Sequence, residues 1–240
     1  MARLSVISAI YNEERNVSDL YLDIIEAMRD RIENYEIVFV NDGSRDGSSR
    51  QLTEIAQYDP RVKVIHLDRN YGLAAAIWAG IRHSDGDLIA LMDAGLQTDP
   101  RDIFRLMPFI ERLDCVNGRW NDIQESWIQR LSYRAGNEIR RRIARGKLQD
   151  SACPLKLFRR EVADNLVFFK GMHRFISTMA QMNGFSVIEV SVRYRKRRNG
   201  GSRPHVLKNI FAGCSDAIVV RCLSKRVVRY KVRKVQQFSN

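Results

Sequence analysis

Tyr35-Glu-Ile-Val-Phe-Val-Asn-Asp-Gly-Ser-Arg-Asp-Gly47 is an apolar run that stops at an aspartate and then turns on glycine. Leu88-Ile-Ala-Leu-Met-Asp-Ala-Gly-Leu-Gln-Thr-Asp-Pro100 repeats the pattern. A strand buried on both faces of a parallel sheet needs such a run, and open α/β folds bind ligands at the carboxyl edge of that sheet. Asp42 and Asp93, which end the two runs, are therefore expected to line one crevice. Carboxylates in that position suit a cation or the hydroxyls of a nucleoside.

Outward from these runs, strand-like and helix-like segments alternate. Leu4–Ile10 is apolar, and residues 13–29 carry helical periodicity at Val17, Leu20, Ile24, Ile25 and Met28. Residues 46–57 read as helix, Val62–Leu67 as strand, residues 72–83 as an Ala-rich helix, and Asp99-Pro100 as a helix start. This order predicts a doubly wound, mostly parallel α/β sheet. Past Cys115–Gly118, residues 123–145 read as one long basic helix, Leu155–Phe158 as a short strand, residues 174–181 as helix and Phe185–Val192 as strand. The final apolar stretch, Val206–Cys222, puts Leu207, Ile210, Phe211, Cys214, Ala217, Ile218 and Cys222 on one helical face.

The chain of 240 residues has a net charge of +12, and the charge is segregated. Fourteen Lys and Arg and a single acid, Asp216, lie between Val190 and Asn240, so residues 1–189 are close to neutral. A segregated basic block points to an anionic partner: phosphates, an acidic membrane surface or nucleic acid. No recognised motif or aromatic stacking pattern supports nucleic acid. No apolar stretch approaches the roughly 18–20 residues that span a bilayer, and Met1-Ala-Arg-Leu4 leads straight into a strand rather than a signal. The four cysteines have neither CxxC spacing nor histidines at zinc spacing, which predicts unpaired thiols in a reducing compartment.

Six motifs in order resemble the family 2 glycosyltransferases of GT-A fold, in the branch that makes dolichyl- or polyprenyl-phosphate sugars. They are Ile10-Tyr-Asn-Glu-Glu14, Asn41-Asp-Gly-Ser44, Asp93-Ala-Gly-Leu-Gln97, Asp150-Ser-Ala-Cys-Pro-Leu-Lys-Leu-Phe-Arg159, Gly171-Met-His-Arg-Phe175 and Arg197-Arg-Asn-Gly-Gly-Ser-Arg203. The resemblance implies an inverting transfer from a nucleotide-sugar, a UDP-sugar rather than a GDP-sugar, to a polyprenyl phosphate. The apolar stripe and basic residues of 206–240 read as an amphipathic segment that either docks on an anionic membrane surface or packs on the catalytic body; the resemblance implies a catalytic domain over 1–205 and association of copies through the C-terminal part. The location it implies is the cytoplasmic face of the membrane, in cell-envelope chemistry.

By the same resemblance, Tyr11, Glu13, Asp42, Asn70, Gly72, Asp93 and Ala94 would hold the nucleotide-sugar, and Asp93 with Gln97 a Mg2+ or Mn2+ ion. Asp150, Arg174 and Arg197 would be the catalytic group, and Arg197, Arg198, Ser202 and Arg203 would receive the acceptor phosphate. Guanidinium forks match phosphate oxygens. A phosphate acceptor is already an anion, so Asp150 need only orient it; a sugar or protein hydroxyl would need it as a base.

Three departures mark this chain. Gly95 stands where the family has a second acid, Arg203 where it more often has Lys, and Pro204 where it has an aromatic residue. Weak metal dependence, compensation by Asp99 or Glu125, and a degenerate anion-binding module all remain open. The alternative for Asp93 and Gln97 is that they cap their turn, and for Asp42 that it forms an Asx turn.

Overall fold

In the computed structural model, which describes residues 3–121, 127–144, 148–149, 153–196 and 206–226, seven strands form one sheet in the order β3-β2-β1-β4-β6-β5-β7. They are β1 (Leu4–Ile10), β2 (Tyr35–Asn41), β3 (Val62–His66), β4 (Leu88–Asp93), β5 (Cys115–Asn121), β6 (Lys156–Arg159) and β7 (Val187–Arg193). Only β6 runs against the others, between β4 and β5. The chain lays β2 and β3 on one side of β1 and β4 on the other, so a topological switch point falls between β1 and β4.

The strands supply an apolar core on both faces, as the sequence predicts. Leu4, Val6 and Ile10 of β1 pack on one side with Leu20 and Ile24 of α1 (Val17–Met28). Ile7 points the other way, among Ala76 and Ile81 of α3 (Leu73–His83) and Val38 and Val40 of β2. Leu20 and Ile24 are fully buried, and each contributes about 1.5–3 kcal/mol by leaving water. The helix α2 (Ser48–Tyr58) covers β2 and β3, and α4 (Ile103–Ile110) follows a short 3-10 turn at Pro100–Asp102.

Several boundaries depart from the sequence reading. α1 begins four residues later than expected, because Asn12–Asn16 is spent on a turn locked to the β2 turn. Asn12 Oδ1 accepts from Arg45 N, Ser48 Oγ from Glu13 N, and Glu14 Oε2 from Gly47 N, at 2.8–2.9 Å. Residues 115–118 belong to β5, a strand masked in the sequence by Asn117, Gly118 and Arg119. Asn117 is buried with its Oδ1 accepting from Lys156 Nζ at 2.8 Å and from Ser177 Oγ at 2.9 Å. The helix expected over 174–181 is a 3-10 turn, Met172–Arg174, followed by α7 (Ile176–Met182). A short helix, α6 (Arg160–Asp164), was not anticipated.

The long basic helix is α5 (Trp127–Ala144), and the last described helix is α8 (Val206–Ser224). α8 packs on α5 and α7, with Ala217 and Val220 buried against Phe175. Of the expected apolar face, Ala217 is buried, whereas Ile218 is 54% exposed and Cys222 is also exposed; the side chains of 207, 210 and 211 lie outside the described residues. The buried seam runs Gly213, Ala217, Val220 because its small members let the helices approach closely. The basic stretch 227–240 lies outside the described residues. All four cysteines are free thiols.

Candidate functional site

A cleft of about 520 Å³ opens at the carboxyl ends of β1, β2 and β4, within the size range of small-molecule sites. Tyr11, Glu13, Asp42, Asn70, Gly72, Asp93, Ala94, Gln97 and Arg174 all line it, so these sequence-predicted site residues come together. Asp150, Arg197, Arg198, Ser202 and Arg203 lie outside the described residues, as does Glu125.

Asp42 is 3% exposed, and its carboxylate grips the far wall. Oδ1 accepts from Tyr71 N at 2.8 Å and Oδ2 from Gly72 N at 2.9 Å. The neighbouring Gly43 makes the approach feasible. Its φ of +64° is left-handed, and a Cβ there would lie 2.6 Å from Asn70 N. Asp42 and Gly43 therefore shape the loop that brings Asn70 and Gly72 to the cleft.

Asp93 likewise serves its own turn. Its carboxylate accepts from Gln97 N at 2.9 Å, Thr98 N at 3.0 Å and Thr98 Oγ1 at 2.5 Å. Burial lifts its carboxyl above the usual range, more than those hydrogen bonds lower it. Leu96 takes φ +59° in this turn, a left-handed backbone that costs an L-residue about 1–2 kcal/mol. Gln97 donates from Nε2 to Tyr194 Oη at 3.1 Å, and its carbonyl accepts from Arg195 N at 2.9 Å. Asp99 cannot substitute for the acid missing at Gly95. Its side chain caps the 3-10 turn through Arg101 N and is paired with Arg195 Nη2.

Four residues outside the predicted site set also line the cleft: Trp120, Tyr133, Lys156 and His173. Trp120 stands edge-on to Tyr194 at 5.0 Å and 5.6 Å from Tyr133, an aromatic wall facing the Asp93 turn. Its place at the carboxyl end of β5 was the signal, hidden because β5 was not recognised. Lys156 is 1% exposed and donates to Asn117 Oδ1 and to Cys153 O. His173 keeps its buried Nδ1 without a hydrogen-bond partner among the described residues. Burial, then the charges of Arg174, Lys156 and Arg140, push its imidazole down to about 3, so it is neutral. One end of the cleft thus offers turns and amides, and the other is electropositive.

Whether a divalent cation fits can be judged from the donors. Among the described residues no three His, Cys, Asp or Glu converge on one point. The Asp93 turn offers one carboxylate already accepting three hydrogen bonds and one amide oxygen. These donors do not by themselves fit a resident cation.

Comparisons place the geometry among known proteins. The glycosyl transferase family 2 profile matches residues 5–167. Over 210 residues the chain is 33% identical to an undecaprenyl-phosphate 4-deoxy-4-formamido-L-arabinose transferase of Proteus mirabilis (strain HI4320), a match covering 87% of this chain and 64% of that protein. A transferase of the same name from Edwardsiella ictaluri (strain 93-146) is 34% identical over 209 residues, with 86% and 64% covered. The chain therefore spans just under two thirds of the length of these curated relatives. Glucosyl-3-phosphoglycerate synthase of Mycobacterium tuberculosis, solved with Mn2+, UDP and glucosyl-3-phosphoglycerate, superposes with a TM-score of 0.67 at 17% identity, covering 95% of this chain and 81% of that one. A mannosyltransferase of Pyrobaculum calidifontis, solved with GDP-Man and Mn2+, gives 0.62 at 17% identity, over 93% and 74%. At such identities the likeness is one of fold, and the fold is GT-A.

Proposed function

The chain belongs to glycosyl transferase family 2, and from that membership and the cleft we propose that it moves a sugar from a UDP-sugar to a polyprenyl phosphate, with inversion. The observation that carries this reading is the two-ended cleft: Tyr11, Asn70, Gly72 and the Asp93 turn at the β1/β2/β4 edge, Lys156, His173 and Arg174 at the other end. The names of the curated relatives support the lipid phosphate.

The donor end takes the nucleoside on the loop that Asp42 fixes. The acceptor phosphate, already an anion, is held by Arg174 and attacks the anomeric carbon from the face opposite the leaving diphosphate. The bond from that carbon to the nucleotide oxygen breaks as the bond to the acceptor oxygen forms, and UDP departs. No proton need be removed from the nucleophile, so the reaction requires orientation and charge balance more than a base. Asp150 and the Arg197–Arg203 loop, by their motifs, would complete the acceptor side.

Docking on an anionic leaflet completes the proposal. Ile218 and Val219 of α8 are exposed, and Lys225 and Arg226 follow on the same helix end. Among the described residues no helix is long and apolar enough to cross a membrane.

Calorimetry with UDP, with Mn2+ and then with chelator, and with GDP as control, tests the donor half. UDP should bind more tightly than GDP, with little loss on chelation. Transfer from UDP-sugars to undecaprenyl phosphate then tests the acceptor half. A protein that binds neither nucleotide would overturn the enzymatic reading.

A further inference from the structure

Asp216 is the single acid among the fourteen Lys and Arg that follow Val190. It lies on α8, and its Oδ2 accepts from Arg174 Nη1 at 3.0 Å. Arg174 lines the cleft. The pair is largely removed from water, with side-chain exposures of 25% for Arg174 and 14% for Asp216. Its seat is built for a close carboxylate: Gly171 has φ +94°, and a Cβ on it would overlap the Asp216 carboxyl group.

Two more cations face this carboxylate. Lys170 precedes Gly171, and Arg140 of α5 is buried where α5 and α8 cross. Arg140 Nη1 lies 3.1 Å from where a Cβ of Gly213 would stand, one helical turn before Asp216. Burial is the largest influence on Asp216 and lifts its carboxyl above the ordinary range, against the pull of Arg174, Lys170 and Arg140. The end of the cleft nearest α8 therefore gathers cations, and Asp216 is the chain's own anion among them.

A phosphate monoester presents oxygens spaced much as in a carboxylate, with up to twice the charge, and a guanidinium binds either. The Nη1 donor that Asp216 takes cannot serve a phosphate oxygen at the same time. We propose that Asp216 is an internal stand-in for the acceptor's phosphate: it occupies Arg174 until a phosphate monoester displaces it, and that exchange also unties α8 from the cleft. The proposal rests on the phosphate-acceptor reading given above. The helix so released is the one whose Ile218 and Val219 are exposed, which favours a monoester on a hydrocarbon chain.

Full-length wild type and Asp216→Asn, each checked for UDP binding as the sign of an intact donor site, are titrated with farnesyl phosphate and with inorganic phosphate. The variant should bind farnesyl phosphate about tenfold more tightly, having lost the competitor. A gain for farnesyl phosphate alone identifies a lipid monoester as the occupant; a gain for both ligands identifies the phosphate group whatever its chain. Equal affinity of wild type and variant overturns the proposal and leaves the acceptor reading standing. If neither protein binds farnesyl phosphate while both bind UDP, the acceptor reading falls and the proposal falls with it. Should the variant not fold, hydrogen exchange of the wild type decides. Amides around residues 213–220 should exchange faster with farnesyl phosphate bound, and unchanged or slower exchange overturns the displacement.

Discussion

The carboxylate of Asp42 spends both oxygens on the Tyr71 and Gly72 amides, so its loss should register first as stability. Asp42→Ala removes two charge-assisted hydrogen bonds and strands two N–H groups, and should cost about 2–3 kcal/mol in urea unfolding. A loss under about 0.5 kcal/mol would mean the 71–72 loop is held by something else. A strand-ending aspartate is visible one residue at a time, which is why the sequence located Asp42. Its partners stand 29 and 30 residues away, and nothing local announces them. His173 gives a second prediction with a definite sign. Its folded pKa, about 3, lies below the ordinary value of 6.5, so the fold buries a neutral ring. The unfolded chain takes up the proton first as pH falls. The contribution is therefore complete above about 6.5 and is lost progressively towards about 3. His173→Gln should flatten the fall of Tm with acid over that window, and an unchanged slope would contradict the buried neutral ring.

Among the elements, the β4 turn is where the proposed function would meet the donor's diphosphate. Asp93 organises Gln97 and Thr98, and Gly95 contributes no carboxylate. Gly95 does not have positive φ, so the backbone there accepts a side chain. Gly95→Asp should raise Mn2+ affinity in the presence of UDP by about tenfold or more, because one added carboxylate converts a thin donor set into a pair. Titration of UDP-saturated protein with Mn2+ measures this directly, and no change would show that the turn does not face the phosphates. The strands around this turn were legible because they are apolar on both faces; β4 and β2 could hardly be anything else. β5 was not, since its buried Asn117 is satisfied by Lys156 and Ser177 from other elements. A polar residue excused by tertiary partners defeats any periodicity. The loss of β5 hid Trp120, and with it the aromatic wall of the cleft.

For the whole molecule, the question is what the excess positive charge and α8 do together. The sequence placed the charge correctly, since counting needs no structure, but the apolar stripe it drew on α8 divides in the fold: Ala217 is buried, whereas Ile218 and Cys222 are exposed. Helical periodicity ranks residues by hydropathy, whereas the α5–α8 crossing selected small ones: Gly213 and Ala217 pack, and Ile218 and Val219 stay outside. An apolar pair left outside, with Lys225 and Arg226 exposed beside it, suits the interface of an anionic bilayer. On such a surface the side chains would enter the headgroup boundary, and each basic residue would contribute about 1 kcal/mol. Replacing Ile218 and Val219 together with Glu should reduce cosedimentation with phosphatidylglycerol vesicles by about tenfold or more and leave UDP binding intact, because the pair lies away from the cleft lining. Added salt should weaken the wild type, since the basic residues act through a screened field. If the double variant binds vesicles as the wild type does, the exposed pair belongs to some other contact. Retained binding that salt still abolishes would leave the basic residues alone as the source of membrane affinity.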